Sequence, residues 1–211
     1  MAFQTFVPGV LTASEMNTYL MQQVVITCTS STRPASPVEG MTIYETDTNI
    51  TLQYSGTAWL VFHEPWTSYT PVLAAFNLTT GAGSTTFNAG TGTVTGAYMR
   101  FGQTVHVNFT FTAGTGWVNP AAGEGLHFTV PTASTSAANF SVGHGRFVDV
   151  SATETYGLTA FRRDDIVGGD RWQIFQNFDP YDPINATDTL PAAPATGDFI
   201  FIQLMYRTSA N

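Results

Sequence analysis

Lysine is absent from this chain of 211 residues, and cysteine occurs once, as Cys28. Every basic residue is therefore one of seven arginines, set against 15 acids for a formal net charge of -8. Nucleic-acid binding needs clustered positive charge, and no such cluster is visible. A single cysteine forms neither an internal disulfide nor a cysteine-based zinc site. No apolar run approaches the roughly 20 residues of a membrane-spanning helix, so membrane insertion is not expected. The first residues, MAFQTFVPGV, lack the charged and apolar regions of a secretory signal, and synthesis in the cytoplasm is expected. Charged residues are scarce at 10%, but hydrophobic residues reach 43% and aromatics 13%, a composition that folds.

What is present begins with one helix signature. Thr12-Ala13-Ser14-Glu15 reads as a capping box, with Leu11 and Met16 placed for a hydrophobic staple. Met16, Tyr19, Leu20 and Val24 then recur at helical spacing, and the helix should fade near Val25, where the β-branched run begins. Such a helix, about three turns long, is too short to stand alone in water, so its stripe must be covered.

A linker by composition, SSTRPASP, leads into RPASPVEGMTIYETDTNITLQYSGTAWLVF. Met41–Glu45, Ile50–Tyr54 and Ala58–Phe62 read as short strands joined by tight turns. Helix and strands together hold few large apolar groups, too few to offset chain entropy comfortably. The expectation is an obligate oligomer whose copies cover Met16, Tyr19, Leu20, Val24, Ile43, Leu52 and Tyr54. These residues argue for self-association and do not set the number of copies.

His63-Glu64-Pro65 marks the next boundary, and from about Trp66 the pattern is all-β. Strands are expected over Tyr69–Phe76, Thr85–Phe87, Gly92–Phe101, Thr104–Thr112, Leu126–Val130, Ala138–Ser151, Tyr156–Arg162, Arg171–Phe175 and Asp198–Tyr206. Val105, Val107, Phe109 and Phe111 alternate with His106, Asn108 and Thr110, a two-sided strand. The last strand is apolar on both faces and should be central or lie at a subunit contact. The fold class is mainly β: a short N-terminal helix, a small three-stranded sheet, then a jelly-roll-like β-sandwich. The corresponding divisions are 1–29, an N-terminal helical anchor; 30–63, a small β-meander neck; and 64–211, a β-sandwich head.

No catalytic constellation emerges. The four histidines, His63, His106, His127 and His144, show no metal-ligand spacing, and neither a metal nor a cofactor is expected. His106 and His127 read as surface or interface residues, while His144 lies in Gly143-His144-Gly145, read as a flexible turn. Gly-x-Ser-x-Gly does not occur. Gly90–Gly96 lacks the lysine and following helix of a phosphate loop and reads as a β-turn. Arg162-Arg163-Asp164-Asp165 reads as a strand end entering an exposed turn, or as an intersubunit salt bridge. Asp179-Pro180-Tyr181-Asp182-Pro183 reads as a proline-shaped loop more than as a calcium loop. What remains is binding: Trp117, Tyr156, Trp172, Phe178 and Tyr181, with Asp182 beside them, are candidates to line a shallow saccharide site. The competing reading puts most of these aromatics in the core.

Three blocks resemble the small tail-fibre, receptor-binding or minor tail proteins of tailed bacteriophages. They are FVPGVLTASEMNTYLMQQ; the Arg-Pro…Gly-Met-x-Ile-Tyr-Glu-Thr-Asp-Thr…Tyr-x-Gly-x-Ala-Trp segment; and Trp66-Thr-Ser-Tyr-Thr-Pro followed by Gly96-Ala-Tyr-Met-Arg-Phe-Gly-Gln-Thr-Val. The resemblance implies a homotrimer in the virion, assembled in the bacterial cytoplasm, with an N-terminal base docking on other virion proteins. It further implies a β-sandwich head that meets the host surface, usually its carbohydrate. It supplies no catalytic motif, and tail and capsid attachment both fit. The function expected is that of a non-enzymatic receptor-binding appendage. The alternatives are a structural decoration without a receptor and a virion glycan hydrolase whose paired carboxylates meet only in three dimensions.

Overall fold

Period-two alternation dominates the chain, and β-structure follows from it. The computed structural model describes residue 9 and residues 12–16, 24–77, 85–86, 90–117, 124–132, 142–163, 171–176 and 195–208. The strands are β1 Ile26–Cys28, β2 Thr42–Glu45, β3 Ile50–Tyr54, β4 Trp59–Tyr69, β5 Leu73–Asn77, β6 Thr85–Thr86, β7 Thr93–Phe101, β8 Thr104–Thr112, β9 Glu124–Thr129, β10 Val142–Asp149, β11 Glu154–Arg163, β12 Arg171–Gln176 and β13 Phe199–Arg207. The chain forms two compact units. One holds the described residues up to Pro65 with Arg100–Gly102; the other holds Trp66–Met99 and the described residues from Gln103 on.

The first unit is a sheet in the order β1-β2-β3-β4. Thr46–Asn49 closes the β2–β3 hairpin with Asn49 at φ 57°, a left-handed position that asparagine tolerates. The Tyr44 hydroxyl donates to Asn49 Oδ1 at 2.9 Å and holds that turn. A strand absent from the sequence expectation joins the edge: β1 runs parallel to β2, with Ile26 opposite Ile43. The β-branched run that was expected to end the helix instead builds this strand. A parallel pair needs a crossover, and residues 29–41 supply it. That segment is pinned rather than loose. Ser30 donates to the Asp47 carboxylate through its amide at 2.9 and 3.1 Å and its hydroxyl at 2.6 Å. Arg33 Nε donates to Glu45 Oε1, and the Thr48 hydroxyl donates to Glu45 Oε2 at 2.8 Å. Glu45 is 1% exposed, so this ion pair neutralises a carboxylate that burial would otherwise disfavour.

Of the helix expected from Thr12 toward Val25, the described residues hold one turn, α1 Ala13–Glu15, with the Met16 amide donating to the Thr12 carbonyl at 3.0 Å. Val24 and Val25 are not helical, and residues 17–23 lie outside the described residues. Met16, Val24 and Val25 are exposed. Tyr19 and Leu20 lie outside the described residues. Ile43 and Leu52, expected beneath a neighbouring copy, are buried within one chain, and Tyr54 is half-buried with its ring 5.2 Å from that of Trp59.

In the second unit the strands follow the order β7-β8-β13-β10-β11-β12-β9-β5-β6. Val105, Val107, Phe109 and Phe111 of β8 share the inner face with Ile200, Ile202, Leu204 and Tyr206 of β13, Phe147 of β10 and Leu158 of β11. Strands far apart in the order meet across this core. Phe109 of β8 stacks on Phe128 of β9 with centroids 4.5 Å apart, and Trp172 of β12 lies 5.8 Å from Tyr206. β13, apolar along its inner side, is central between β8 and β10, as its composition suggested. Gly143-His144-Gly145 is not a turn but the body of β10. A Cβ on Gly145 would sit 2.0 Å from the Phe201 carbonyl oxygen and 2.6 Å from Ile202 Cδ1. The glycines answer to close packing, not to flexibility.

One further difference has a simple cause. The strand expected over Tyr69–Phe76 is split into β4 and β5. Pro71, with no N–H to donate, stands in the break, and Val72 is held by the Thr129 hydroxyl at 2.9 Å. The two units divide between Pro65 and Trp66, at the boundary expected from His63-Glu64-Pro65, and β4 runs through it without a break.

Two predictions follow from this packing. Phe109→Ala removes a fully buried ring and should lower unfolding free energy by about 3–5 kcal/mol in denaturant titration. At the start of the β10–β11 turn, the Ala152 amide (2.8 Å) and Ser151 hydroxyl (2.7 Å) donate to Asp149 Oδ1 and hold its carboxyl below the usual carboxylate range. A depressed pKa stabilises the fold above the unfolded value, and that contribution disappears as pH falls through the folded value. Thermal midpoints should therefore decline below about pH 4, and less steeply in Asp149→Asn.

Candidate functional site

Pleating sends alternate residues of β8, β13 and β10 away from the core. On β8 these are Thr104, His106, Asn108, Thr110 and Thr112. On β13 they are Phe199, Phe201, Gln203, Met205 and Arg207, and on β10 His144, Arg146 and Val148. Pairing aligns them in rows. Asn108 lies opposite Gln203, and Gln203 opposite His144; one row over, His106 lies opposite Met205. Adjacent strands are about 4.8 Å apart, so the Asn108–Gln203–His144 row spans about 10 Å.

A shallow cleft of about 390 Å³ opens on these rows, lined by Trp66, His106, Val107, Asn108, His144, Gln203, Leu204 and Met205. That volume lies within the range of small-ligand sites. Trp66 is 51% exposed and Met205 53%, a large aromatic and a thioether left in water on the solvent side of a sheet whose core is otherwise well covered. The Gln203 amide donates to Asn108 Oδ1 at 3.1 Å. That bond uses one donor of Gln203 and one acceptor of Asn108, so the pair retains the Asn108 amide hydrogens as donors and Gln203 Oε1 as an acceptor. His106 and His144 are exposed on either side of β13. An apolar plate with a fixed donor–acceptor pair suits a ring that has one C–H face and hydroxyls at its edge.

Three of the candidates read from the sequence, Trp117, Tyr156 and Trp172, lie elsewhere. Trp172 is fully buried and belongs to the core, because β12 turns it inward onto Tyr206. Trp117 is half-buried with its ring 4.6 Å from Phe111. Tyr156 lies opposite Phe147 in register, with centroids 6.0 Å apart. Phe111 and Phe147 both neighbour Ile200, so Trp117 and Tyr156 close the same end of the core layer. Phe178, Tyr181 and Asp182 lie outside the described residues. Among the histidines, His106 is exposed as expected, whereas His127 is buried on β9. Cys28 ends β1 half-buried, and burial together with the Glu45 charge pushes its thiol pKa up, away from reactive thiolate. No group of acids, histidines and cysteine suited to a metal ion occurs among the described residues.

Sequence reasoning passed over the cleft because its residues are scattered. Trp66, His106, Asn108, His144 and Gln203 come from four strands, and only strand pairing assembles them. The signal that was available is the alternation along β8, which places His106 and Asn108 on the non-core face.

The Tyr156 hydroxyl donates to Glu154 Oε2, and the pKa of the phenol is pushed up to about 12, first by this bond and then by partial desolvation. In an alkaline absorbance titration one tyrosine should ionise near pH 12, and Glu154→Gln should return it toward about 10. The neutral phenol is then the favoured form in the fold, so the stability it brings is complete below about pH 10 and is lost toward pH 12.

No family model matches the chain, and neither does any curated protein or any solved structure.

Proposed function

We propose that this chain is a non-enzymatic bacteriophage virion appendage, a homotrimer that docks through its N-terminal segment and binds a host-surface glycan through a jelly-roll-like β-sandwich head. The observation that carries the binding half is the outer-face cleft, where Trp66 stands exposed beside the Asn108–Gln203 pair. Isolated exposed aromatics are ordinary, but one lining a cleft with ordered polar groups is what ligand sites contain. The cleft lining has no carboxylate, whereas glycoside hydrolysis generally uses a pair of them.

The assembly half rests on the resemblance of the N-terminal blocks and on surface left open in one chain. Met16, Val24 and Val25 are exposed, and so are Phe62 and Phe101, whose rings lie 5.0 Å apart. Arg100 is 8% exposed, and among the described residues its Nε and Nη2 have no hydrogen-bond partner. An unpaired buried guanidinium is costly, and a carboxylate from a neighbouring copy would offset it. Ile43 and Leu52, by contrast, already serve the interior of their own unit.

Light scattering on the purified chain should give three times the 22.8 kDa chain mass, and a monodisperse monomer at micromolar concentration would overturn the trimer. Labelled protein should attach to susceptible cells and not to resistant ones. Equal attachment to both would leave a structural decoration without a receptor, and release of reducing ends from envelope polysaccharide would restore the hydrolase.

A further inference from the structure

The chain carries 15 acids and seven arginines, yet the outward residues of β8, β13 and β10 include no acid. They include Arg146 and Arg207 as well as His106 and His144. In a protein of net charge -8, an acid-free face bearing arginine is a local reversal of the overall field. The two arginines bracket the cleft. Arg146 lies opposite Phe201, one row beyond Gln203 and His144; Arg207 is two residues beyond Met205 on the far side. Phe201 and Arg207 are six residues apart along β13, so the bracket spans on the order of 20 Å. Arg207 is held in place, its Nε and Nη2 donating to Gln103 Oε1 at 2.8 and 2.6 Å. Arg146 is exposed on the same face as the cleft.

We infer that this face takes an acidic oligosaccharide: sugar rings seat in the cleft against Trp66 and Met205, hydroxyls meet Asn108 and Gln203, and acidic groups of the flanking units meet Arg146 and Arg207. The inference rests on the glycan-binding reading above and adds the charge and length of the ligand. A guanidinium recognises carboxylate and phosphate oxygens alike, and its planar fork favours either over a neutral hydroxyl. The spacing of the arginines favours a polymer segment over a single sugar.

The test is calorimetric titration of the full chain with oligogalacturonate, with its neutral methyl ester, with a glycerol-phosphate-substituted glycan and with maltooligosaccharides. One of the two acidic ligands should bind about two- to fivefold more tightly than the neutral ones, a preference that exposed ion pairs can supply. Which of the two it is identifies carboxylate or phosphate as the acidic group. The preference should shrink as salt rises from about 0.05 to 0.5 M, where screening becomes short-ranged. Arg146→Gln should abolish the preference while leaving neutral binding intact, and Trp66→Ala should weaken every ligand. Both side chains are exposed, and circular dichroism checks that the variants fold. Neutral ligands binding as tightly as acidic ones would overturn this inference and leave the glycan reading standing. Failure of every saccharide to bind, with attachment to susceptible cells preserved, would overturn both. Acidic binding unchanged in both variants would place the site elsewhere and sink the assignment of this face.

Discussion

The two-sided pleat of β13 is the constraint on which the second unit depends. Its inner residues, Ile200, Ile202, Leu204 and Tyr206, are the floor of the core, and β8 and β10 take their register from it. A one-residue slip would exchange the two faces, burying Gln203 and Arg207 and exposing four large apolar groups. Register is therefore enforced by the core, and the outer face inherits an order it does not itself create. Gly143 and Gly145 belong to the same constraint, because a side chain at Gly145 would collide with the β13 backbone. The cleft is thus a by-product of core packing: Asn108, Gln203 and His144 are aligned because their neighbours in sequence are buried.

The first unit is held by a different device. Its sheet is small, and polar contacts to the crossover do much of the ordering. Arg33 reaches the buried carboxylate of Glu45, Thr48 caps the same carboxylate, and Ser30 holds Asp47. The Ser30 hydroxyl and amide keep the Asp47 carboxyl below its ordinary range. These residues, Arg33, Glu45, Asp47 and Thr48, are the Arg-Pro…Tyr-Glu-Thr-Asp-Thr pattern that stood out in the sequence. The pattern has a structural meaning independent of any resemblance: it ties a parallel edge strand to a hairpin. A small core of this kind relies on polar contacts as well as on buried apolar area.

Legibility in the sequence varied with the range of the interactions involved. β8 was readable because Val105, Val107, Phe109 and Phe111 alternate cleanly, and β13 was readable as central because it is apolar on both sides. The start of the helix after Thr12 was readable from its capping residues, and α1 begins there, while the absence of regular structure at Val24 and Val25 follows from contacts that local spacing does not carry. Trp172 was misplaced because an aromatic near a strand end carries no sign of which face it will take until β9 and β11 pair with its strand. Gly143-His144-Gly145 was misread because glycine signals both flexibility and close approach, and only the neighbouring strand distinguishes them.

By itself the sequence determined that the protein is mainly β, that it is acidic without lysine, and that its single cysteine cannot crosslink it internally. These properties follow from composition and from periodicities a few residues long. The tertiary structure decided which aromatics are core, that a parallel strand joins the small sheet, and that Trp66, His106, Asn108, His144 and Gln203 share one cleft. Those outcomes depend on which strands become neighbours. Pairing between residues far apart in the chain, such as Asn108 and Gln203, is chosen by the burial of a whole face and not by the residues that end up facing each other.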